Sequence, residues 1–258
     1  MDDPIKTNDF IKKIIIDNKR NVKGVAIISG GRLTLGKNKS KIEYLLSLLL
    51  IMGLFSFFKK VLKTLSYNFS KILDKLNLYK SNSLENFVKD QNINLLKLKN
   101  PNSKGFLSYL KKEKVDLIIN QSMTILKKDI LSIPKIGIIN RHNALVPKNR
   151  GRLSPFWVKY KNEKETGVTI HFLNEKIDEG DIIVQKKFTL KSSYNFNSIV
   201  EKNYELAQIA MQEAIDLLKK YGKKVKTIRN NKLNGSYNST PRLKEAFLYR
   251  IKLFKKIF

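Results

Sequence analysis

The chain has 258 residues, and its 51 basic and 22 acidic side chains give a formal net charge of +29. This length suits one large domain or a domain with an appendage, and an apolar fraction of 42% is that of a globular protein. The absence of cysteine excludes disulfides and thiolate metal sites. The first residues, MDDP, lack the basic flank and apolar run of a secretory signal. Both features favour a cytoplasmic location.

The positive charge is mostly lysine, and it is spread along the whole chain. A surface that binds nucleic acid more often concentrates arginine and alternates it with aromatic residues. We therefore interpret the charge as a compositional bias and do not expect nucleic acid as the main partner. It should still attract an anionic substrate, such as a nucleotide sugar or tRNA.

The hydrophobic pattern predicts strands that alternate with helices. Strands are predicted at residues 22–29, 94–97, 115–120, 136–140, 166–172 and 181–189. Helices are predicted at residues 9–16, 40–65, 103–114, 125–131, 154–160 and 192–221. This order predicts an α/β fold, with a mostly parallel sheet that has helices on both faces. We expect residues 1–221 to form the domain, ending in a long C-terminal helix, and residues 222–258 to form a basic tail.

Residues 44–58 form an apolar run, YLLSLLLIMGLFSFF. A membrane-spanning helix needs about 20 such residues. This run is shorter, contains two serines and a glycine, and ends at Lys59 and Lys60. A buried or partner-facing helix is the preferred interpretation. The alternative is a helix that lies on a membrane surface, since lysines flank the run.

Polar side chains end the strand predicted at residues 136–140. Asn140 and His142 are two positions apart, so they point to the same side of an extended segment. Open parallel sheets bind their ligands beyond the C-terminal ends of the strands. An isolated Asn-x-His pattern is more often a turn residue with a surface histidine. The surrounding motifs therefore decide how this pair is interpreted.

Four motifs follow one another in the chain. They are NRH at residues 140–142, LVPKNRG at residues 145–151, TGVTIH at residues 166–171 and DEGD at residues 178–181. In this order and spacing they resemble the formyltransferase family that uses 10-formyltetrahydrofolate. The chain departs from the family pattern at Val146, where leucine is usual, and at residues 143–144, where serine or glycine is common. Neither change removes a catalytic side chain.

The resemblance implies a Rossmann-like fold for residues 1–221 and transfer of a formyl group from 10-formyltetrahydrofolate to an amine. It implies that Asn140 donates a hydrogen bond to the formyl oxygen and that His142 stabilises the oxyanion. It also implies that Asp178 orients His142 and helps to pass on the proton of the attacking amine. Each role suits the chemistry of its side chain.

The resemblance further implies a pterin pocket. The residues expected to line it are Met123, Thr124, Ile125, Leu126, Ile177, Glu179 and Gly180. Arg150 and Gly151 are expected to shape a substrate loop that covers the site. His171 and Trp157 are interpreted as structural. With two histidines and no carboxylate at metal-ligand spacing, no metal site is predicted.

The acceptor amine is predicted by elimination within the family. The chain lacks the Gly-Ser-rich phosphate loop of phosphoribosylglycinamide formyltransferases, and too few residues follow Tyr221 for the C-terminal barrel of methionyl-tRNA formyltransferases. We therefore expect a small anionic acceptor, a nucleotide-linked amino sugar. The alternatives are a methionyl-tRNA formyltransferase, or a non-catalytic basic protein that binds nucleic acid, or a membrane through residues 44–58. A homodimer is also considered.

Two further expectations concern the N-terminal and C-terminal ends of the chain. Members of the family usually begin with an apolar strand, and a loop like Asp-Asp-Pro follows it. Here Met1 directly precedes Asp2 and Asp3, so the resemblance predicts that a central strand of the sheet is missing from this sequence. Residues 235–242 are expected either to fold back toward the active site or to hold a partner chain.

Overall fold

A computed structural model describes residues 4–29, 40–231, 233 and 235–254. The helices in this part of the chain are α1 (Pro4–Asp17), α2 (Lys41–Met52), α3 (Leu54–Lys75), α4 (Leu84–Asp90), α5 (Lys104–Lys112), α6 (Lys128–Leu131), α7 (Ser154–Tyr160), α8 (Phe196–Tyr221) and α9 (Leu243–Phe254). The strands are β1 (Gly24–Ile28), β2 (Asn94–Leu98), β3 (Leu117–Asn120), β4 (Gly137–His142), β5 (Arg150–Gly151), β6 (Glu165–Phe172), β7 (Ile182–Thr189) and β8 (Tyr237–Asn238).

The strands form one four-stranded sheet, in the order β3-β4-β6-β7, and two parallel pairs, β1-β2 and β5-β8. Strands β3 and β4 are parallel, whereas β6 is antiparallel to both β4 and β7. The α/β class is confirmed, and three of the five described pairings between these strands are parallel. The largest sheet is mixed, because β6 runs antiparallel to both of its neighbours. Strands β6 and β7 are joined by a short segment without a crossover helix, and such a connection requires an antiparallel pair.

The main core lies between α8 and the four-stranded sheet. Ala207, Ala210 and Ala214 of α8 are fully buried, and their small side chains let the helix approach Val168 and Ile170 of β6 closely. The helix begins with a capping box, in which the Asn195 side chain accepts from the backbone of Ser198. This packing supports β6 and β7 from one face, and it leaves the C-terminal ends of β3 and β4 open at the sheet edge.

Helix α1 contacts both the four-stranded sheet and the β1-β2 pair. Phe10 and Ile14 belong to the core of the larger sheet, whereas Ile15 packs with Val88 near β1 and β2. No pairing in the described residues joins β1 to β3. The missing central strand stays a prediction.

The apolar run at residues 44–58 divides at Gly53, so the single helix predicted at residues 40–65 is wrong. Gly53 has a φ of +84°, a left-handed conformation that ends α2, and its N–H donates to the carbonyl oxygen of Leu49. Helices α2 and α3 meet there at an angle of 119°. No single described helix is long and apolar enough to cross a membrane, although the bent pair passes such a test by length and composition.

The segment 222–258, expected as a tail, folds onto the domain over much of its described length. Helix α9 packs on α2, where Ile51, Ala246 and Tyr249 form a buried cluster with Phe156. The Tyr249 hydroxyl accepts a hydrogen bond from the backbone N–H of Phe196, and burial raises the pKa of this phenol. The pattern after residue 221 did not predict this helix.

Candidate active site

A cavity of about 1160 Å³ lies beyond the C-terminal ends of β1, β3 and β4. Ser29, Asn120 and Asn140 come from these strand ends, and all three line the cavity together with His142. The edge formed by the C-terminal ends of parallel strands is the usual ligand site of such sheets. The two residues predicted from the Asn-x-His motif therefore share one cavity.

His142 is buried, and both of its ring nitrogens face oxygen atoms. Nε2 lies 2.8 Å from the carbonyl oxygen of Asn149 and 3.2 Å from the hydroxyl oxygen of Ser154. A carbonyl oxygen can only accept, so Nε2 carries a proton. Nδ1 lies 3.4 Å from Oδ2 of Asp178, which is an ion-pair distance rather than a hydrogen bond. Nδ1 is therefore the nitrogen free to exchange a proton beside the carboxylate.

Asp178 is held in place from two sides. The backbone N–H of Gly151 donates to its Oδ2 over 2.9 Å, and the Asn230 side-chain amide donates to its carbonyl oxygen over 2.8 Å. The backbone of Asp178 has a φ of +52°, which costs an aspartate roughly 1 kcal/mol or more. These contacts hold the strained residue with its carboxylate between the two histidines.

Gly151 is required by its surroundings. Its φ is +94°, and an added Cβ would lie 2.2 Å from the carbonyl oxygen of Asn238 in the neighbouring strand β8. Arg150 forms an ion pair with Glu179, and both side chains are largely buried. Of the two predicted loop residues, Gly151 lines the cavity, and Arg150 braces the loop that carries Asp178.

The residues predicted for the pterin pocket divide into two groups. Those that line the cavity are Met123, Thr124, Ile125, Leu126 and Ile177. Glu179 and Gly180 do not line it, because Glu179 turns toward Arg150 and a Cβ on Gly180 would lie 1.8 Å from the carbonyl oxygen of Phe172. These two residues shape the loop behind the cavity.

His171 lies on the other side of Asp178 and is fully buried. Its Nδ1 donates to the carbonyl oxygen of Phe172 over 2.7 Å, and its Nε2 lies 3.7 Å from Oδ1 of Asp178. Burial lowers the pKa of His171 below its ordinary value, and the attraction of Asp178 opposes this only in part. The ring is therefore neutral, which fits the structural role predicted for it, although it contacts the same carboxylate as His142.

Arg141 is a residue of the site that was not singled out from the sequence, whereas residues 235–242 and Trp157 were. Arg141 lines the cavity, with its guanidinium 4.8 Å from the ring centre of Phe10 and 4.5 Å from that of Tyr204. Tyr237 and Thr240 also line it, so residues 235–242 fold back toward the site. Trp157 donates from Nε1 to the carbonyl oxygen of Ser239 over 2.9 Å and packs in the cluster around α9.

The cavity lining is strongly basic. Its cationic residues are Lys6, Lys59, Lys60, Lys63, Lys99, Arg141, Arg152 and Lys176, whereas its acidic residues are Glu175, Asp178 and Glu201. Such a lining raises the local concentration of anions. Among the described residues, no group of three or more histidine and carboxylate side chains could hold a metal ion.

The sequence model of the formyl transferase family matches residues 48–215, which is more than half of the chain. The chain therefore belongs to this family, as the four motifs predicted.

Two curated relatives match shorter stretches. A 105-residue stretch is 40% identical to the bifunctional polymyxin resistance protein ArnA of Wigglesworthia glossinidia brevipalpis, and it covers 40% of this chain and 16% of that protein. A 116-residue stretch is 33% identical to the methionyl-tRNA formyltransferase of Clostridioides difficile strain 630, and it covers 45% of this chain and 38% of that enzyme. The chain thus spans less than half the length of either relative.

Two solved structures show the same fold. One is the phosphoribosylglycinamide formyltransferase of Anaplasma phagocytophilum, with a TM-score of 0.50 at 16% identity over 60% of this chain and 80% of that one. The other is an N-formyltransferase of Helicobacter canadensis in complex with folinic acid and dTDP-3-aminofucose, with a TM-score of 0.50 at 20% identity over 61% of this chain and 54% of that one.

Proposed function

We propose that this protein transfers a formyl group from 10-formyltetrahydrofolate to the amine of a small anionic acceptor. The observation that carries this proposal is the meeting of Asn140, His142 and Asp178 at one cavity, with Nδ1 of His142 3.4 Å from Asp178. Together with membership of the formyl transferase family, this arrangement favours acyl transfer to an amine.

The proposed catalytic roles follow from the atoms that face each other. The Asn140 amide donates a hydrogen bond to the formyl oxygen. His142 stabilises the negative charge that develops there once its Nδ1 has taken up the proton of the attacking amine and the ring is cationic. Preorganised donors of this kind lower a barrier by about 3–4 kcal/mol each. Because Nε2 of His142 already donates to Asn149, the proton lost by the amine is taken up by Nδ1, beside Asp178. The same proton is passed to N10 of the folate as the bond between N10 and the formyl carbon breaks, which releases tetrahydrofolate.

The lining of the cavity supports a folate as the formyl donor. Met123, Ile125 and Ile177 are 47%, 70% and 51% exposed, respectively, and all three line the cavity. Apolar side chains left open to a cavity suit a flat aromatic ring, and neighbouring backbone groups supply the polar contacts that orient it. We propose that these residues contact the pterin.

We propose a nucleotide-linked amino sugar as the acceptor. The support is the basic lining, in which Lys63, Lys99 and Arg152 are suited to bind phosphates. The cysteine-free composition also supports the proposed cytoplasmic location. The second candidate acceptor is methionyl-tRNA, which is favoured by the similarity to methionyl-tRNA formyltransferases and by the net charge of +29.

The test is release of tetrahydrofolate from 10-formyltetrahydrofolate, with nucleotide amino sugars and charged initiator tRNA as separate acceptors. We expect release with a nucleotide amino sugar, and a loss of at least about a hundredfold in the His142→Gln variant. A Lys187→Gln variant, which changes an exposed side chain on β7 outside the cavity lining, should keep the wild-type rate. If only the tRNA is formylated, the proposed acceptor is wrong. If no acceptor is formylated, or if His142→Gln is fully active, the proposed activity is wrong.

A further inference from the structure

Helix α3 turns its apolar side away from the protein. Its large apolar residues recur every three or four positions, so they form one stripe along the helix. The members of this stripe are Leu54, Phe55, Phe58, Val61, Leu62, Leu65, Phe69, Ile72 and, at the C-terminal cap, Leu76. Their exposed fractions run from 37% for Val61 to 81% for Phe55. A surface helix of a globular protein normally buries such a stripe.

The opposite side of α3 is held to the protein by polar contacts. The Tyr67 hydroxyl accepts from the side-chain amide of Asn8 over 3.0 Å. Asp74 accepts from the Ser81 hydroxyl and from the Asn86 amide, each over 2.7 Å. No residue of α3 is buried. The helix is therefore fixed by its polar side, and its apolar stripe faces solvent.

The helix is also cationic. It carries five lysines and one aspartate, which is a net charge of +4. At 100° per residue, Lys59 and Lys75 lie at the two borders of the apolar stripe. The other three lysines of the helix, Lys60, Lys63 and Lys71, lie on the far side. Lysines beside an apolar stripe can extend their ammonium groups into a layer of lipid phosphates.

We propose that α3 docks on the surface of an anionic lipid bilayer, with its apolar stripe inserted between the headgroups. A second copy of this chain fits the stripe poorly, because it would bring two helices of charge +4 together. A nucleic acid would use the lysines and leave the stripe in water. An anionic bilayer matches both the stripe and its bordering lysines, Lys59 and Lys75.

This docking surface shares residues 54–58 with the run at residues 44–58, for which a membrane surface was the alternative interpretation. The α2 part of that run packs one side against the protein, where Tyr44, Leu48 and Ile51 are buried. Phe55 and Lys59 of α3 also line the active-site cavity. Docking through α3 therefore brings the cavity close to the bilayer.

The test is sedimentation of the full chain with vesicles of phosphatidylcholine alone or mixed with about one third phosphatidylglycerol. We expect binding to the mixed vesicles that weakens with added salt. A Phe58→Ser/Leu65→Ser variant should bind at least about tenfold more weakly. An Ile209→Ser variant, which removes an exposed apolar side chain from α8, should bind like the wild type. Because Phe58 and Leu65 are exposed, their variant should keep the wild-type unfolding temperature.

Three results would overturn the proposal. One is the absence of binding to the mixed vesicles, and another is equal binding by the wild type and by Phe58→Ser/Leu65→Ser. The third is a dimer in light scattering that this double variant dissociates, because the stripe would then cover a second copy. A Lys59→Glu/Lys75→Glu variant gives an independent check, since it should weaken binding while the stripe stays intact.

Discussion

The two histidines of this chain are both buried and flank the Asp178 carboxylate, but they differ in their access to the cavity. His142 lines the cavity and has Nδ1 3.4 Å from Asp178, whereas His171 is sealed behind the carboxylate with Nε2 3.7 Å away. Burial lowers the pKa of His171 and keeps it neutral. Access to the cavity, rather than the distance to Asp178, therefore distinguishes His142, which can transfer a proton, from His171, which positions the carboxylate.

We expect the strongest effect on activity from removing the negative charge of Asp178, which lies between the rings of His142 and His171. An Asp178→Asn variant should lower the rate of formyl transfer by about 10²–10³-fold, because His142 loses the carboxylate beside its exchanging nitrogen. Steady-state kinetics with saturating acceptor would measure this. A Glu179→Gln variant is the neighbouring control, since Glu179 lies outside the cavity and should change the rate far less. Equal losses in both variants would contradict the role given to Asp178.

The next effect concerns the backbone that holds Asp178. A Gly151→Ala variant should lower the free energy of unfolding by roughly 1–3 kcal/mol, because alanine is strained at a φ of +94° and its Cβ meets Asn238. It should also reduce activity, since the Gly151 N–H moves away from Asp178. Gly105→Ala is the matched control, because Gly105 lies in α5 with nothing within 4 Å of an added Cβ. Urea unfolding of both variants would show whether only Gly151→Ala is destabilised.

The smallest effect is a pH dependence that separates the two histidines. Folding lowers the pKa of His171 because it buries the ring. Below about pH 6.5, His171 is therefore protonated in the unfolded chain but stays neutral in the folded chain. Stability from this group is present at neutral pH and falls with acid, by at most about 1.4 kcal/mol per pH unit. A His171→Asn variant should lack this part of the acid loss, and His142→Asn should retain it. Urea unfolding at several pH values would test the difference, and identical curves for the two variants would contradict it.

A second contrast, between α2 and α3, shows where the hydrophobic pattern stops being informative. Both helices come from one apolar run, yet α2 buries Leu48 and Ile51, whereas α3 buries no residue. Apolar periodicity predicts that a helix has an apolar side, but it does not say what covers that side. The bend at Gly53 turns the second helix away from the core, and only the packing of α9 on α2 shows which part is buried.

The α/β class, most of the helices and strands, and the membership of the formyl transferase family could be predicted from the sequence. This was possible because periodicity is local and because the four motifs keep their order along the chain. The sequence also predicted that Asn140 and His142 lie together, since two neighbouring positions on one strand need no tertiary information.

The sequence resemblance predicted His142 beside Asp178, but the amide groups that hold Asp178 in place became visible only in the folded chain. Asn230 follows Asp178 by 52 positions and Gly151 precedes it by 27, and both bind it through amide N–H groups. Gly151 belongs to the LVPKNRG motif, but no motif showed that either amide donates to Asp178. The tertiary structure also showed that Glu179 and Gly180 lie behind the cavity and that α9 belongs to the domain. Contacts between distant segments depend on how elements pack, and no local pattern of residues encodes that packing.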